Sequence, residues 1–179
     1  MSPELDRPLI GVTCSIRESK FAKWTMDAAI LPSTYTSAIE RAGGIPVLIP
    51  PSIFSTSVLD KINGIVIAGG PDINPSEYHE ESYISTATYY PEQDASERAL
   101  IQEALDRNMP MLCICRGMQL LSIIHGGHLH QHLDNTLEYG GHGSYDGQSS
   151  EHVVTTSEGS KISSLMGPHV TVNSTHHQG

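Results

Sequence analysis

The stretch MPMLCICRGMQLL, from Met109 to Leu121, decides how the chain is expected to fold. Its first half, Met109–Ile114, is an apolar run that fits a buried parallel strand. Beyond Cys115 the apolar residues recur at helical spacing, at Met118, Leu120, Leu121 and Ile124. The stretch therefore predicts a strand, a sharp turn and a helix.

Cys115 stands on the predicted turn and is the candidate nucleophile. Such a turn lifts its side chain clear of the sheet, and the amide of the next residue, Arg116, points to where a carbonyl oxygen becomes negative. Gly117 leaves room for the turn, and the helix N-terminus together with Arg116 favours a thiolate. From the local pattern alone, a buried structural cysteine is an equally good interpretation.

The chain on the N-terminal side alternates strands and helices. Leu9–Val12, Ile45–Ile49 and Ile62–Ala68 are predicted strands, and a helix starts at Pro32-Ser33 and ends at Gly43-Gly44. Asp94 and Glu97 form a capping-box pattern before a second helix, whose apolar residues are Leu100, Ile101, Ala104 and Leu105. This alternation predicts an α/β fold, with a doubly wound, mostly parallel sheet flanked by helices.

The segments between these elements are less informative. Ser15–Leu31 has no clear pattern, and its Trp24 is interpreted as a structural residue. Asn74–Gln93 is predicted to be a loop. Gly69-Gly70-Pro71-Asp72 follows a predicted strand, where two glycines let the backbone approach a ligand closely, although the same residues make a plain tight turn.

Four histidines, His125, His128, His130 and His132, follow the central helix. The last three share one face of a segment predicted to be extended, where they could bind a metal, but alternate residues of a flat strand diverge from a common centre. No metal site is therefore predicted, and the role of the cluster stays open. Farther on we expect a loop over Asp134–Ser150, strands over Glu151–Thr156 and His169–Asn173, and a short helix over Lys161–Met166.

Composition limits the classes of partner. A net charge of -10 argues against nucleic acid and against anionic membranes, because both are bound through Lys and Arg clusters. No apolar run is long enough to span a membrane, no secretory signal is visible, and three cysteines do not form a secreted disulfide framework. We expect one cytoplasmic domain over residues 1–179 that binds a small molecule, and a homo-oligomer is compatible with the sequence.

Several motifs carry a family resemblance. CRGMQ at Cys115, GGHLHQHL from Gly126, AGGIPVLIP from Ala42, NGIVIAGGPDINPSEY from Asn63 and VNSTHHQ from Val172 resemble the class I glutamine amidotransferase-like superfamily, which has a flavodoxin-like fold. More narrowly they resemble its γ-glutamyl-γ-aminobutyrate hydrolases, which are cysteine hydrolases of the peptidase type. The resemblance covers nearly the whole chain.

The resemblance implies roles for particular residues. Cys115 would be the nucleophile, the amides of Gly70 and Arg116 would bind the oxyanion, and Gly69, Gln119, His176 and His177 would lie on the substrate side. Gln119 is alternatively a helix-surface residue. No cofactor is implied. The family's catalytic histidine and glutamate come in a His-Pro-Glu segment after VNSxHHQ, so we expect these residues to be a C-terminally incomplete portion of a longer protein.

The expected function is cysteine-dependent hydrolysis of γ-glutamyl amide bonds in small molecules through a thioester. Two alternatives are kept. One is a non-catalytic member of the fold that binds a ligand or senses through its thiol. The other is a glutaminase subunit that delivers ammonia to a partner enzyme. The leaving amine is not specified by the sequence.

Overall fold

The computed structural model describes residues 6–83, 88–133 and 150–179, which fall into two compact units. The first unit comprises the described residues of Met1–Glu81 and Ala87–His128, and the second those of Ser82–Thr86 and Leu129–Gly179. The expectation of a single domain stays a prediction.

The described elements follow in the order of the chain. The strands are β1 (Leu9–Thr13), β2 (Ser15–Phe21), β3 (Trp24–Ile30), β4 (Ile45–Ile49), β5 (Gly64–Ile67), β6 (Met111–Cys113), β7 (Ser150–Thr155) and β8 (His169–Ser174). The α-helices are α1 (Ser33–Arg41), α2 (Pro91–Asp106), α3 (Arg116–Ile124) and α4 (Lys161–Met166), and short 3-10 turns cover Ser55–Lys61 and Pro75–Tyr78.

A four-stranded parallel sheet organises the first unit, with the strand order β4-β1-β5-β6. Val12 and Val66 form a buried cluster against Tyr35 and Ile39 of α1. Since side chains alternate along a strand, Ile67 points to the opposite face, where Gly117 of α3 lies against it. Helices therefore cover both faces, and the predicted α/β fold with a parallel sheet flanked by helices is confirmed.

The segment without a sequence pattern forms an antiparallel hairpin of β2 and β3. Most of its residues are exposed on both faces, so no apolar alternation was available to reveal the strands. Trp24 pairs with Phe21 at the tip and is 53% exposed. This exposure argues against its interpretation as a structural residue.

Helix α2 begins three residues before the predicted capping box. Its first residue is Pro91, which suits a first helical position because its missing N–H would have no partner there. Asp94 and Glu97 lie inside the helix and are buried. The capping interpretation is wrong because both carboxylates pair with an arginine instead of with the helix end.

The second unit contains the antiparallel pair β7 and β8 together with α4, close to their predicted bounds. His130 and Leu133 bond through their backbones to Gly179 and His177, which ties residues 130–133 to the last three residues. The histidine segment is irregular chain rather than the predicted extended strand. The loop predicted over Asp134–Ser150 lies outside the described residues except for Ser150, which opens β7.

Within the described ranges, no helix combines the length and the apolar character needed to cross a membrane.

Candidate active site

The turn between β6 and α3 places Cys115 in a conformation that few residues other than glycine adopt. Cys115 is the N-cap of α3, with φ 50° and ψ -112°. Its carbonyl accepts from the Gln119 amide at 3.1 Å, and the Ile114 carbonyl accepts from the Gly117 amide at 2.9 Å. Positive φ at a cysteine is strained, and such strain clusters at functional sites. The thiol is exposed at the start of the helix.

Gly117 explains how the helix comes so near the sheet. A Cβ on Gly117 would lie 2.6 Å from the carbonyl oxygen of Ile67, which is fully buried. The same oxygen accepts from the Ile114 amide at 3.0 Å. Only glycine fits this contact, and the contact fixes the height of Cys115 above the sheet.

The loop after β5 lies against the nucleophile. A Cβ on Gly69 would be 3.4 Å from the Cβ of Cys115 and 3.1 Å from Tyr35 Oη. A Cβ on Gly70 would be 3.2 Å from Arg116 Cδ. The structure thus brings together four of the predicted site residues, namely Gly69, Gly70, Cys115 and Arg116.

The backbone amides near the thiol differ in availability. Gly69 donates its N–H to Tyr35 Oη at 2.9 Å. Within the residues that the structure describes, neither the Gly70 amide nor the Arg116 amide has a hydrogen-bond acceptor. Arg116 is the first residue of α3, and a first helical N–H has no acceptor within its own helix. Both amides therefore keep an unused hydrogen-bond donor within the described part of the chain, and their oxyanion role stays a prediction.

The Arg116 side chain turns into the core and is therefore not a free cation beside the thiol. It is 1% exposed and bonds to the carboxylates of Asp94 and Glu97, which are also buried. Burial raises the pKa of Asp94, and the charge of Arg116 acts against that increase. These three side chains connect α3 to α2. Removing any one of them would leave a buried charge unpaired.

Burial along α3 rules out one of the two interpretations of Gln119 and corrects the one of Met118. Gln119 is 6% exposed, so its interpretation as a helix-surface residue is wrong, while Met118 is 53% exposed although it was assigned to the apolar face. The buried apolar residues of the helix are Leu120 and Ile123.

The three thiols of the chain lie in different surroundings. Cys14 is 2% exposed, and burial raises its pKa. Burial also raises the pKa of Cys113 to about 11, with a smaller contribution from the charge of Glu97. Both therefore stay protonated near neutral pH. Cys115 is the exposed thiol among the three.

Sequence reasoning missed a polar network next to the loop after β5 that contains Gly69 and Gly70, the glycine loop. Gln93 donates to Glu97 at 2.9 Å, and its Oε1 accepts from Ser15 at 3.1 Å and from Arg17 at 2.8 Å. The Arg17 guanidinium lies 3.3 Å from the centre of the Tyr90 ring. Arg17 belongs to the hairpin whose strands had no sequence signal, so only the structure could reveal the network.

His176 and His177, predicted on the substrate side, belong to the second unit. His177 Nδ1 lies 3.2 Å from His132 Nδ1, and His176 Nδ1 lies 2.9 Å from the carbonyl oxygen of Gln178. No set of three or more His, Cys, Asp or Glu side chains is placed to hold a metal ion in the described part of the chain. The substrate role of the two histidines stays a prediction.

Comparison with known proteins identifies relatives along almost the whole chain. The family model for peptidase C26 matches residues 8–179. A Mycobacterium tuberculosis protein provisionally named a glutamine amidotransferase is 38% identical over 176 residues, which are 96% of this chain and 57% of that protein. The γ-glutamyl-γ-aminobutyrate hydrolase of Escherichia coli is 33% identical over 190 residues, with 98% of this chain and 72% of the hydrolase covered. The chain thus spans between about half and three quarters of the length of these relatives.

Proposed function

The chain belongs to the peptidase C26 family, and from this premise we propose that it hydrolyses γ-glutamyl amide bonds of small molecules with Cys115 as the nucleophile. The bond type follows from the relatives named γ-glutamyl-γ-aminobutyrate hydrolase, which match 98% of the chain. A small, soluble substrate suits a protein with a net charge of -10 better than a polyanion does.

The proposed reaction begins at the exposed thiol. The Cys115 thiolate attacks the γ-carbonyl carbon, and the carbonyl oxygen becomes negative between the amides of Gly70 and Arg116. Collapse of the tetrahedral intermediate breaks the C–N bond, and the amine leaves with a proton from a general acid. Water then attacks the thioester and releases glutamate and the free thiol. In this proposal Cys115 is the nucleophile, and the amides of Gly70 and Arg116 are the oxyanion donors.

One observation carries the proposal: the exposed Cys115 has φ 50° between β6 and α3, and the nearby amides of Gly70 and Arg116 have no acceptor among the described residues. A cysteine that served only packing would be buried and would not need this strained backbone. Removing one oxyanion donor typically costs about 2.7 to 4 kcal/mol of barrier, so the two amides account for a substantial part of the proposed catalysis.

The proposal is tested by exposing the protein to a diazo-ketone analogue of glutamine and measuring its intact mass. We expect a single adduct, located on Cys115 by peptide mapping. The Cys115→Ala variant should give no adduct, whereas the matched Cys113→Ala variant should be modified like the parent.

Substrate turnover provides the second measurement. Amine release from a panel of γ-glutamyl amides should depend on Cys115 and should leave Cys113→Ala unaffected. Equal turnover by the parent and by Cys115→Ala would refute the proposed nucleophile. Ligand binding without turnover or adduct would favour a binding or sensing function, and ammonia release from glutamine only with a partner enzyme would favour a glutaminase subunit.

A further inference from the structure

A small cavity beside the glycine loop contains a cation, Arg17, that has no ion-pair partner among the described residues. The cavity has a volume of about 260 Å³ and is lined by Ile16, Arg17, Pro51, Tyr90, Glu92 and Gln93. All of these residues belong to the first unit, as do Gly70 and Cys115. The proposed function leaves this cavity without a role.

Arg17 is held in the cavity wall by neutral groups. Its guanidinium stacks on the Tyr90 ring, donates to the Ile16 carbonyl at 2.6 Å and donates to Gln93 Oε1 at 2.8 Å. In the described ranges no carboxylate forms an ion pair with it, although the exposed Glu92 lines the same cavity.

The remaining donors of Arg17 suit one particular kind of ligand. A guanidinium has five N–H donors in one plane, and the two hydrogen bonds to protein leave three. Two of these in a fork match the two oxygens of a carboxylate, and the flat contact with Tyr90 fixes the orientation of that plane. The side chain is thus preorganised for a carboxylate, and no described carboxylate of the protein pairs with it.

The electrostatic surroundings also favour an anion. Burial lowers the pKa of Arg17 and the positive charge of Arg116 adds to this decrease, whereas Tyr90 and Glu97 act against it. The N-terminal end of α2 contributes its N-cap Tyr90 and the first-turn residues Glu92 and Gln93 to the wall, and a helix N-terminus adds a partial positive charge. A bound carboxylate would compensate both effects.

A short chain of contacts joins this cavity to the oxyanion donors. Gln93 bonds to Arg17, and its Nε2 is 3.7 Å from the position of a Cβ on Gly70. Gly70 in turn lies against Arg116, the residue after the nucleophile. Arg17 is therefore separated from the site of proposed attack by one side chain and the glycine loop.

From this arrangement we propose that Arg17 binds the α-carboxylate of the γ-glutamyl substrate and thereby selects acyl groups that carry an acidic end. The inference rests on the proposed function, because it assigns a substrate group to the same site. Arg17 is a specificity-determining residue and takes no part in bond making or breaking.

The test compares two electrophiles that differ only at the α-position. One is a diazo-ketone analogue of glutamine with its free α-carboxylate, and the other is the corresponding α-carboxamide. The second-order rate of Cys115 modification is followed by intact mass for the parent, Arg17→Gln, Arg17→Lys and the control Lys20→Ala, which removes a charge from the same hairpin outside the cavity wall.

We expect the parent to prefer the carboxylate probe and Arg17→Gln to lose that preference, with its carboxylate rate falling about 10- to 100-fold, as for a lost hydrogen bond to a charged group. The carboxamide rate should stay near that of the parent. Arg17→Lys should retain part of the preference, because it keeps the charge without the planar fork. Lys20→Ala should behave like the parent.

The outcomes separate the two proposals. An unmodified Cys115 in the parent with either probe would overturn the proposed function and this inference with it. A modified Cys115 whose carboxylate preference survives Arg17→Gln would overturn only the role of Arg17. Equal slowing of both probes in Arg17→Gln would also overturn that role, because it would show that Arg17 merely anchors the hairpin.

Discussion

Gly117→Ala is the substitution for which the structure gives the clearest expectation. The added Cβ would lie 2.6 Å from the Ile67 carbonyl oxygen and 2.8 Å from Ile67 Cγ2, whereas ordinary contact begins near 3.4 Å. Because the nearest atom belongs to the backbone, no side-chain rotation relieves the overlap. Helix α3 must move away from β5 by several tenths of an ångström.

The expected magnitude combines three contributions. Overpacking a filled core costs about 1 to 3 kcal/mol, and the upper part of this range applies because the clash is with backbone. The same carbonyl accepts from Ile114 at 3.0 Å, and weakening that hydrogen bond costs about 1 kcal/mol. Alanine regains about 0.5 to 1 kcal/mol of helix stability over glycine. The free energy of unfolding should therefore fall by about 3 kcal/mol.

Urea unfolding followed by circular dichroism measures this change directly. For a chain of this length, a loss of that size lowers Tm by roughly 6 to 12 °C. The matched control is Met118→Ala on the exposed side of the same helix, for which we expect a change within about 0.5 kcal/mol. A Gly117→Ala variant as stable as the parent would refute the inference that this contact sets the height of Cys115 above the sheet.

Three further predictions concern the site. At pH 7.5 a small alkylating reagent should modify one thiol of the folded protein rapidly, and Cys115→Ala should abolish that reaction. The reaction of Cys113 should become faster as the pH rises toward its pKa of about 11. Rapid reaction of a second thiol at pH 7.5 would contradict this prediction. Tyr35→Phe removes the acceptor of the Gly69 amide, so modification of Cys115 by the glutamine analogue should become about tenfold slower with little change in Tm. An unchanged rate would show that the loop holds its position without that hydrogen bond. Arg116→Met leaves two carboxylates buried without a cation, so the free energy of unfolding measured in urea should fall by about 3 to 5 kcal/mol at pH 7. The loss should be smaller at low pH, where protonation removes the buried charges. Equal losses at both pH values would contradict the charge argument.

The sequence predicted the parallel strands because their residues are apolar. It was wrong about the burial of Met109–Ile114, because β6 lies at the edge of the described sheet and its Leu112 is 58% exposed. It predicted the turn at Cys115 because a strand pattern and a helix pattern meet there. It failed at Asp94, where a capping signal and a buried ion pair use the same residue type and only the three-dimensional position of Arg116 separates them. It could not reveal Arg17, because a half-exposed hairpin has no apolar periodicity and its polar contacts join residues more than seventy positions apart.

Residue 115 is a position where stability and chemistry require different amino acids. At φ 50° a glycine would relieve a strain of about 1 to 3 kcal/mol that any side chain must bear. A Cys115→Gly protein should therefore resist unfolding better than the parent while losing its reactive thiol. Under the proposed function, the cysteine at this position marks a trade-off in which the molecule accepts a weaker fold to keep a nucleophilic sulfur atom.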